Sequence, residues 1–166
     1  MLHERRAQSA VFGFLLILVL VAVAAGLVDV YRLFAARNWA YQVAQEAAMT
    51  GASRARDWSS VATTGDIRLD PVAAQQDATE LVTTEMTARG ITDYALDVRV
   101  LPDPTGGAIA DYPPVPVRLG AGRGSWVSSE PAVGVYLAVP VHWMMLDSFG
   151  IVGKTVNVFA SAGVAQ

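Results

Sequence analysis

The side chains that could carry chemistry are few and scattered. His142 and Asp147, with either Ser148 or Ser161, supply the residue types of a base, an orienting acid and a nucleophile, the set that activates a hydroxyl for attack on an acyl carbon. Neither serine sits in a G-x-S-x-G elbow, the sharp turn that exposes such a nucleophile, or in a related signature. His142 falls on the strand side opposite Trp143, as an ordinary half-exposed strand residue would. The run Gly120-Ala121-Gly122-Arg123-Gly124 has the glycine density of a phosphate loop. It lacks the Lys-Ser/Thr ending, follows a proline-rich stretch and precedes no helical pattern, so turns explain it better. His3 and His142 are far apart, and without cysteine or carboxylates at ligand spacing they make no metal site. These residues predict no enzymatic activity, no cofactor and no small-molecule substrate.

The absence of cysteine removes a disulfide framework, thiolate metal ligation, a cysteine nucleophile and a lipobox anchor together. Eleven arginines and one lysine, Lys154, are spread along a chain of net charge −3. They form no basic stripe, so nucleic acid is not an expected partner. A length of 166 residues suits one compact domain. The apolar share of 53% against 16% charged exceeds that of ordinary globular chains, and the excess lies near the N-terminus.

Following a basic stub over residues 1–8, Ser9 to Val28 reads SAVFGFLLILVLVAVAAGLV, twenty residues without a charge. At about 1.5 Å per residue a helix of this length spans roughly the 30 Å hydrocarbon core of a bilayer. Within hydrocarbon every backbone polar group must pair inside the segment, which requires a helix. A cleavable secretory signal is the competing reading: Arg5 and Arg6, an apolar core, then Ala22-Val23-Ala24 as an A-x-A site. Against it, the helical pattern runs on through Asp29 and Arg32 without a breaker. Arg5 and Arg6 are balanced by Arg32 and Arg37 beyond the span, and the α-amino group tips the count toward an inside N-terminus. The expected topology is a single pass through the cytoplasmic membrane, with the C-terminal part outside.

Residues 29–57 continue the helix, with alanines at 36, 40, 44, 48 and 52. Residues four apart share a face, so Ala36, Ala40, Ala44, Ala48 and Ala52 form a narrow, smooth stripe. Such a stripe admits close approach by another helix, or it packs on the protein's own sheet; the sequence permits both. Asp29 and Arg32, at i and i+3 just past the span, are placed to pair, and Tyr31, Phe34 and Trp39 suit an interfacial aromatic belt beside the membrane lipid.

This N-terminal block, RRAQSAVFGFLLILVLVAVAAGLVDVYRLFAARNWAYQVAQEAAMTGA, resembles that of the TadE/TadG-like proteins of tight-adherence (Flp, type IVc) pili over about residues 5–56. The shared features are a basic stub with Gln-Ser, an apolar span, an Asp a few residues before Arg-Leu-Phe, and an alanine-rich helix ending in Gly-Ala. The resemblance implies a pilin-like assembly component whose partners are pilin-type subunits or pilus-assembly proteins, with incorporation into a pilus; the alternative is a generic single-pass extracytoplasmic binding or envelope protein whose head, not its helix, carries the function. It also implies prepilin-type processing between Ala7 and Gln8; Ala7 stands where the family usually has glycine, and Phe12 where it has glutamate. Phe14, Leu18 and Ala25 are among the expected helix-packing positions.

The extracytoplasmic head, residues 58–166, is expected to be α+β, with a second helix on a small antiparallel sheet. Asp70-Pro71 reads as N-cap and first helical residue, and Gly90 as the stop. Val72, Ala74, Ala78, Leu81, Val82 and Met86 fall largely on one face. Leu96, Val98 and Val100 alternate with polar residues, and Val133–Met145 and Thr155–Val164 read as longer strands. Residues 102–131 hold six of the eight prolines and five glycines, which predicts a long loop, with a short strand at Val115–Leu119. Tyr112, Arg118, Arg123 and Trp126 are its candidate exposed contacts.

Overall fold

A computed structural model describes residues 2–117, 124–143 and 153–164. Helix α1 (Leu2–Arg54) is continuous over 53 residues. It stops slightly before the expected end at residue 57, where the chain turns into strand β1 (Arg56–Asp57). β1 pairs antiparallel with β2 (Arg68–Leu69), matching Arg56 to Leu69 and Asp57 to Arg68. Between them lies helix α2 (Trp58–Thr64), which the sequence reading did not anticipate. Its N-cap is Asp57, whose carboxylate accepts from the Ser59 amide at 2.9 Å and the Ser59 hydroxyl at 2.6 Å. These two hydrogen bonds hold the Asp57 carboxyl below its usual range. Gly65, at φ 79°, closes α2 in the left-handed conformation that glycine adopts without a Cβ penalty.

Helix α3 (Pro71–Ala88) has the predicted start: the Asp70 carboxylate accepts from the amides of Val72 (2.9 Å) and Ala73 (3.2 Å), with proline at the first helical position. It is followed by β3 (Ala95–Leu101), β4 (Gly107–Ile109), β5 (Trp126–Ser128), β6 (Ala132–Val141) and β7 (Lys154–Gly163). The main sheet has the order β3-β6-β7, with β3 and β6 antiparallel from Ala95 opposite Ala138 to Leu101 opposite Ala132. The architecture is thus mixed α+β, as expected. The strand expected to reach Met145 ends at Val141; His142 and Trp143 follow it, and residues 144 and 145 lie outside the described residues.

The chain forms two compact units, Met1–Ala35 with Val141–Lys154, and Ala36–Pro140 with Thr155–Gln166. In the second unit α3 packs against β3, burying Ala74, Ala78, Val82 and Met86. The distal turns of α1 contribute Ala40, Val43, Ala44, Ala47, Ala48 and Ala52, all buried. β6 is buried on both faces: Val133, Val135, Leu137 and Val139 on one, Ala132, Tyr136 and Ala138 on the other. The second face is closed by a cluster of Leu101, Tyr112 and Trp126 with those β6 residues, flanked by Ile109, Val117 and Phe159.

That cluster corrects the reading of residues 102–131 as a plain loop. β4 and β5 form an antiparallel pair within it, Gly107 opposite Ser128 and Ile109 opposite Trp126. Residues 115–117 carry no strand, against the strand expected at Val115–Leu119; Leu119 lies outside the described residues.

Candidate interaction surface on the N-terminal helix

The first turns of α1 with described side chains present an exposed, apolar surface. From Val11 to Leu20 every residue is exposed, including Phe14 at 63% and Leu18 at 48%. The helix from Val11 to Arg54 is long and apolar enough, by length and composition, to cross a membrane, a property that a signal helix shares. Ala7 and Gln8, the expected processing pair, are in α1. Ala25, one of the expected packing positions, is buried, unlike Phe14 and Leu18.

Asp29 is fully buried at 0% exposure and makes a polar or electrostatic interaction. Arg32 is exposed and, among the described residues, forms no ion pair, so the expected Asp29–Arg32 bridge is not made. The i, i+3 spacing brings the two onto neighbouring positions, but burial has taken Asp29 and not Arg32. A carboxylate removed from water needs a partner, and the sequence showed only the nearest cation.

Of the three aromatics assigned to an interfacial belt, Tyr31 and Phe34 are exposed, at 74% and 59%. Trp39 is instead half-buried in the second unit, with the Arg89 guanidinium 4.4 Å above its ring. Arg89 also pairs with Glu85, one helical turn earlier on α3.

The alanine stripe is occupied within the chain. Ala40, Ala44 and Ala48 have no exposure and Ala52 has 3%; Ala36 is half-buried. At Gly51 α1 runs close to α3: an added Cβ would stand 2.7 Å from the Ala74 carbonyl oxygen. Of the two partners considered for the stripe, the chain's own core has taken its distal part, and the immediate neighbour is a helix.

Tyr112 and Trp126 are not exposed contacts; they are buried to 3% and 7% exposure. The Tyr112 hydroxyl lies 2.8 Å from the Asp97 carbonyl and 3.0 Å from the Gly134 carbonyl. Burial, reinforced by the Asp97 carboxylate, pushes its pKa well up. The Trp126 ring packs over Gly134, where a Cβ would meet ring atoms at 3.0 Å. Phe159 meets Tyr112 edge-on at 5.4 Å between centroids and Trp126 at 6.0 Å. Sequence reasoning missed this because a proline-rich composition reads as exposed turns; Gly134 inside a valine-rich strand was the available signal. Arg118 and Arg123 lie outside the described residues, as do Gly120–Gly122, Asp147 and Ser148. His142 and Ser161 are exposed. Among the described residues no group of three or more His, Asp or Glu side chains is gathered to hold a metal ion.

Comparison of the chain with protein-family models, with curated proteins and with solved structures gives no match. The functional reading therefore rests on the sequence block of α1 and on the surfaces described above.

Proposed function

We propose that this chain is a membrane-anchored, pilin-like component of tight-adherence (Flp, type IVc) pilus assembly. The observation that carries the reading is the contrast along α1: residues 11–20 are wholly exposed and apolar, whereas the alanine stripe beyond Ala36 is committed to the chain's own core. Exposing Phe or Leu side chains to water costs about 1.5–3 kcal/mol each, so a bare apolar helix of this length belongs in lipid or among other apolar helices. The sequence Asp29-Val30-Tyr31-Arg32-Leu33-Phe34 at the end of the span, which resembles the TadE/TadG block, supports the pilus context.

In this reading the N-terminus is cytoplasmic, residues 9–28 cross the cytoplasmic membrane and the α+β unit is outside. Contacts with pilin-type helices then fall on Phe14 and Leu18 and their exposed neighbours, with Tyr31 and Phe34 at the interface. Affinity capture of the tagged protein, in a cell that assembles such pili, tests this. Recovery of pilus components that is lost when Phe14 and Leu18 are replaced by alanine supports the proposal; capture of none overturns it. The intact mass of the mature chain decides processing: cleavage after Ala7, after Ala24 or nowhere gives three distinct values, and cleavage after Ala24 would convert the protein to a secreted one.

A further inference from the structure

Past its apolar span, a helix that meets water ordinarily turns polar on the faces its own core does not use. α1 keeps aromatic residues there: Tyr31 is 74% exposed, Phe34 59% and Tyr41 47%. Their spacing places them at a and d positions of a heptad, and the a position between Phe34 and Tyr41 is Asn38, also exposed. Because α1 is one unbroken helix, the count runs back into the span. It falls on Leu27, Ala24, Leu20 and Ile17, all exposed. A pattern kept over about three to four heptads is the signature of a coiled coil. It ends past Gln45, since the next position, Ala48, is buried in the chain's own core.

The charges of this stretch stand off the stripe. Asp29, Arg32 and Glu46 fall at b or f positions, and Arg37 alone flanks it, its guanidinium donating to the Val117 carbonyl at 3.1 Å. In a parallel pair of identical helices the residue beside Arg37 is Gln42 of the other copy, so no like charges meet.

Asn38 decides what the stripe takes. Two copies held by the same span cross the membrane in the same direction, so their helices run parallel and each a position meets itself across the two-fold axis. An asparagine amide carries both donors and an acceptor, so Asn38 can pair with its own counterpart. A helix with an apolar residue at that level would strip its water and return no hydrogen bond. Asn38 and Tyr41 also form one wall of a cleft of about 630 Å³, with Val117, Asn157 and Phe159 among its other lining residues, a recess that admits the convex side of a helix.

We infer that α1 pairs with α1 of a second copy as a parallel two-stranded coiled coil from Ile17 to Tyr41, with Asn38 fixing the register. The inference rests on the reading of α1 as a single membrane pass and not on the pilus. Phe14 and Leu18 fall off the a and d positions and take no part in the pairing.

The chain has no cysteine, so single introduced cysteines report contacts. The full chain is made in a host without pilus genes, and its membranes are oxidised with copper phenanthroline. Phe34→Cys and Asn38→Cys are expected to give a disulfide dimer of twice the chain mass. Arg32→Cys and Glu46→Cys, exposed but off the stripe, should give about tenfold less. In nonionic detergent, light scattering should show the unaltered chain as a dimer. Phe34→Arg should weaken that dimer about tenfold or more, since it puts a charge into an apolar seam, and Arg32→Gln should leave it unchanged; Tyr31→Arg takes the place of Phe34→Arg if circular dichroism shows the latter unfolded. No cross-linked dimer, a monomer by light scattering, or equal cross-linking at all four positions overturns the pairing. In a cell that assembles pili, cross-linking of Asn38→Cys to a protein of another mass in place of the dimer overturns the assignment to a second copy. Failure to capture pilus components leaves the dimer in the pilus-free host standing, whereas cleavage after Ala24, read from the intact mass, removes the anchor and overturns this inference too.

Discussion

Gly51 of α1 lies against the Ala74 carbonyl of α3 so closely that an added Cβ would stand 2.7 Å from the oxygen and 3.4 Å from the Ala78 methyl. In an exposed helix, glycine is about 1 kcal/mol worse than alanine, so propensity alone predicts that Gly51→Ala stabilises. Sterics predict the reverse, because the obstructing atom is backbone and cannot swing aside. We expect Gly51→Ala to destabilise the protein by about 1–3 kcal/mol, the range for overpacking. Gly26→Ala, with nothing within 4 Å of its Cβ, is the matched control and should be neutral or slightly stabilising. Thermal melts of both in detergent, followed by circular dichroism, compare the two effects. A higher melting temperature for Gly51→Ala would falsify the close α1–α3 contact.

Tyr112 gives an alkaline limit to stability. In the folded state burial and the Asp97 carboxylate raise its pKa, while in the unfolded chain it titrates near its ordinary value of about 10. The neutral phenol is thus the form that folding favours. Its contribution is complete below about pH 10 and is lost as pH rises from there toward the folded pKa, at up to about 1.4 kcal/mol per pH unit. Tyr136, raised by burial too, acts in the same direction. Tyr112→Phe should cost about 1–3 kcal/mol at neutral pH, because it leaves the Asp97 and Gly134 carbonyls short of a donor. It should also flatten the loss of stability above pH 10. Melting temperatures of the two proteins from pH 8 to 11 check both parts; parallel curves would rule out this role.

The elements that carry local chemical signals were legible. Asp70, Pro71 and Gly90 bracket α3, and the alternation around Val98 and Val135 marks β3 and β6. What the sequence hid depends on partners distant in the chain. The valines of β6 mark a strand, and Tyr136 and Ala138 between them are apolar as well. The uninterrupted run is that of a strand covered on both faces. The cover itself, Tyr112 and Trp126, comes from a proline-rich stretch whose composition says turn and says nothing of Gly134. Helix α2 was missed because seven residues rich in serine and threonine show no periodicity; its signals were the caps, Asp57 and Gly65. The alanine stripe was visible, yet its partner was not, since small residues at fourfold spacing suit any helix that can come close.

Asp70 tests how much one cap contributes. Its carboxylate holds two of the unpaired amides at the start of α3, and Pro71 needs no partner because it has no amide hydrogen. Asp70→Ala should cost about 1 kcal/mol, and Asp70→Asn, which retains the accepting oxygen, should recover most of it. Chemical denaturation midpoints of the three proteins measure the difference. Equal losses for alanine and asparagine would mean that charge, not the capping hydrogen bond, is what α3 uses.

The two stretches of α1 should respond to mutation in opposite ways. Ala44 and Ala48 have no exposed surface, so leucine at either must displace neighbours in a filled core, costing about 1–3 kcal/mol. Any failure of Ala44→Leu or Ala48→Leu to assemble should therefore be accompanied by a lower melting temperature. Phe14 and Leu18 are exposed, and Phe14→Ala with Leu18→Ala should leave the melting of the α+β unit unchanged. On the pilin-like proposal, the same double substitution reduces recovery of pilus components from the membrane. Melting and capture measured on one set of variants separate the roles: assembly lost without a change in melting points to the exposed face of α1. Normal assembly by the double variant would remove that face from the proposal and move the contacts to the head.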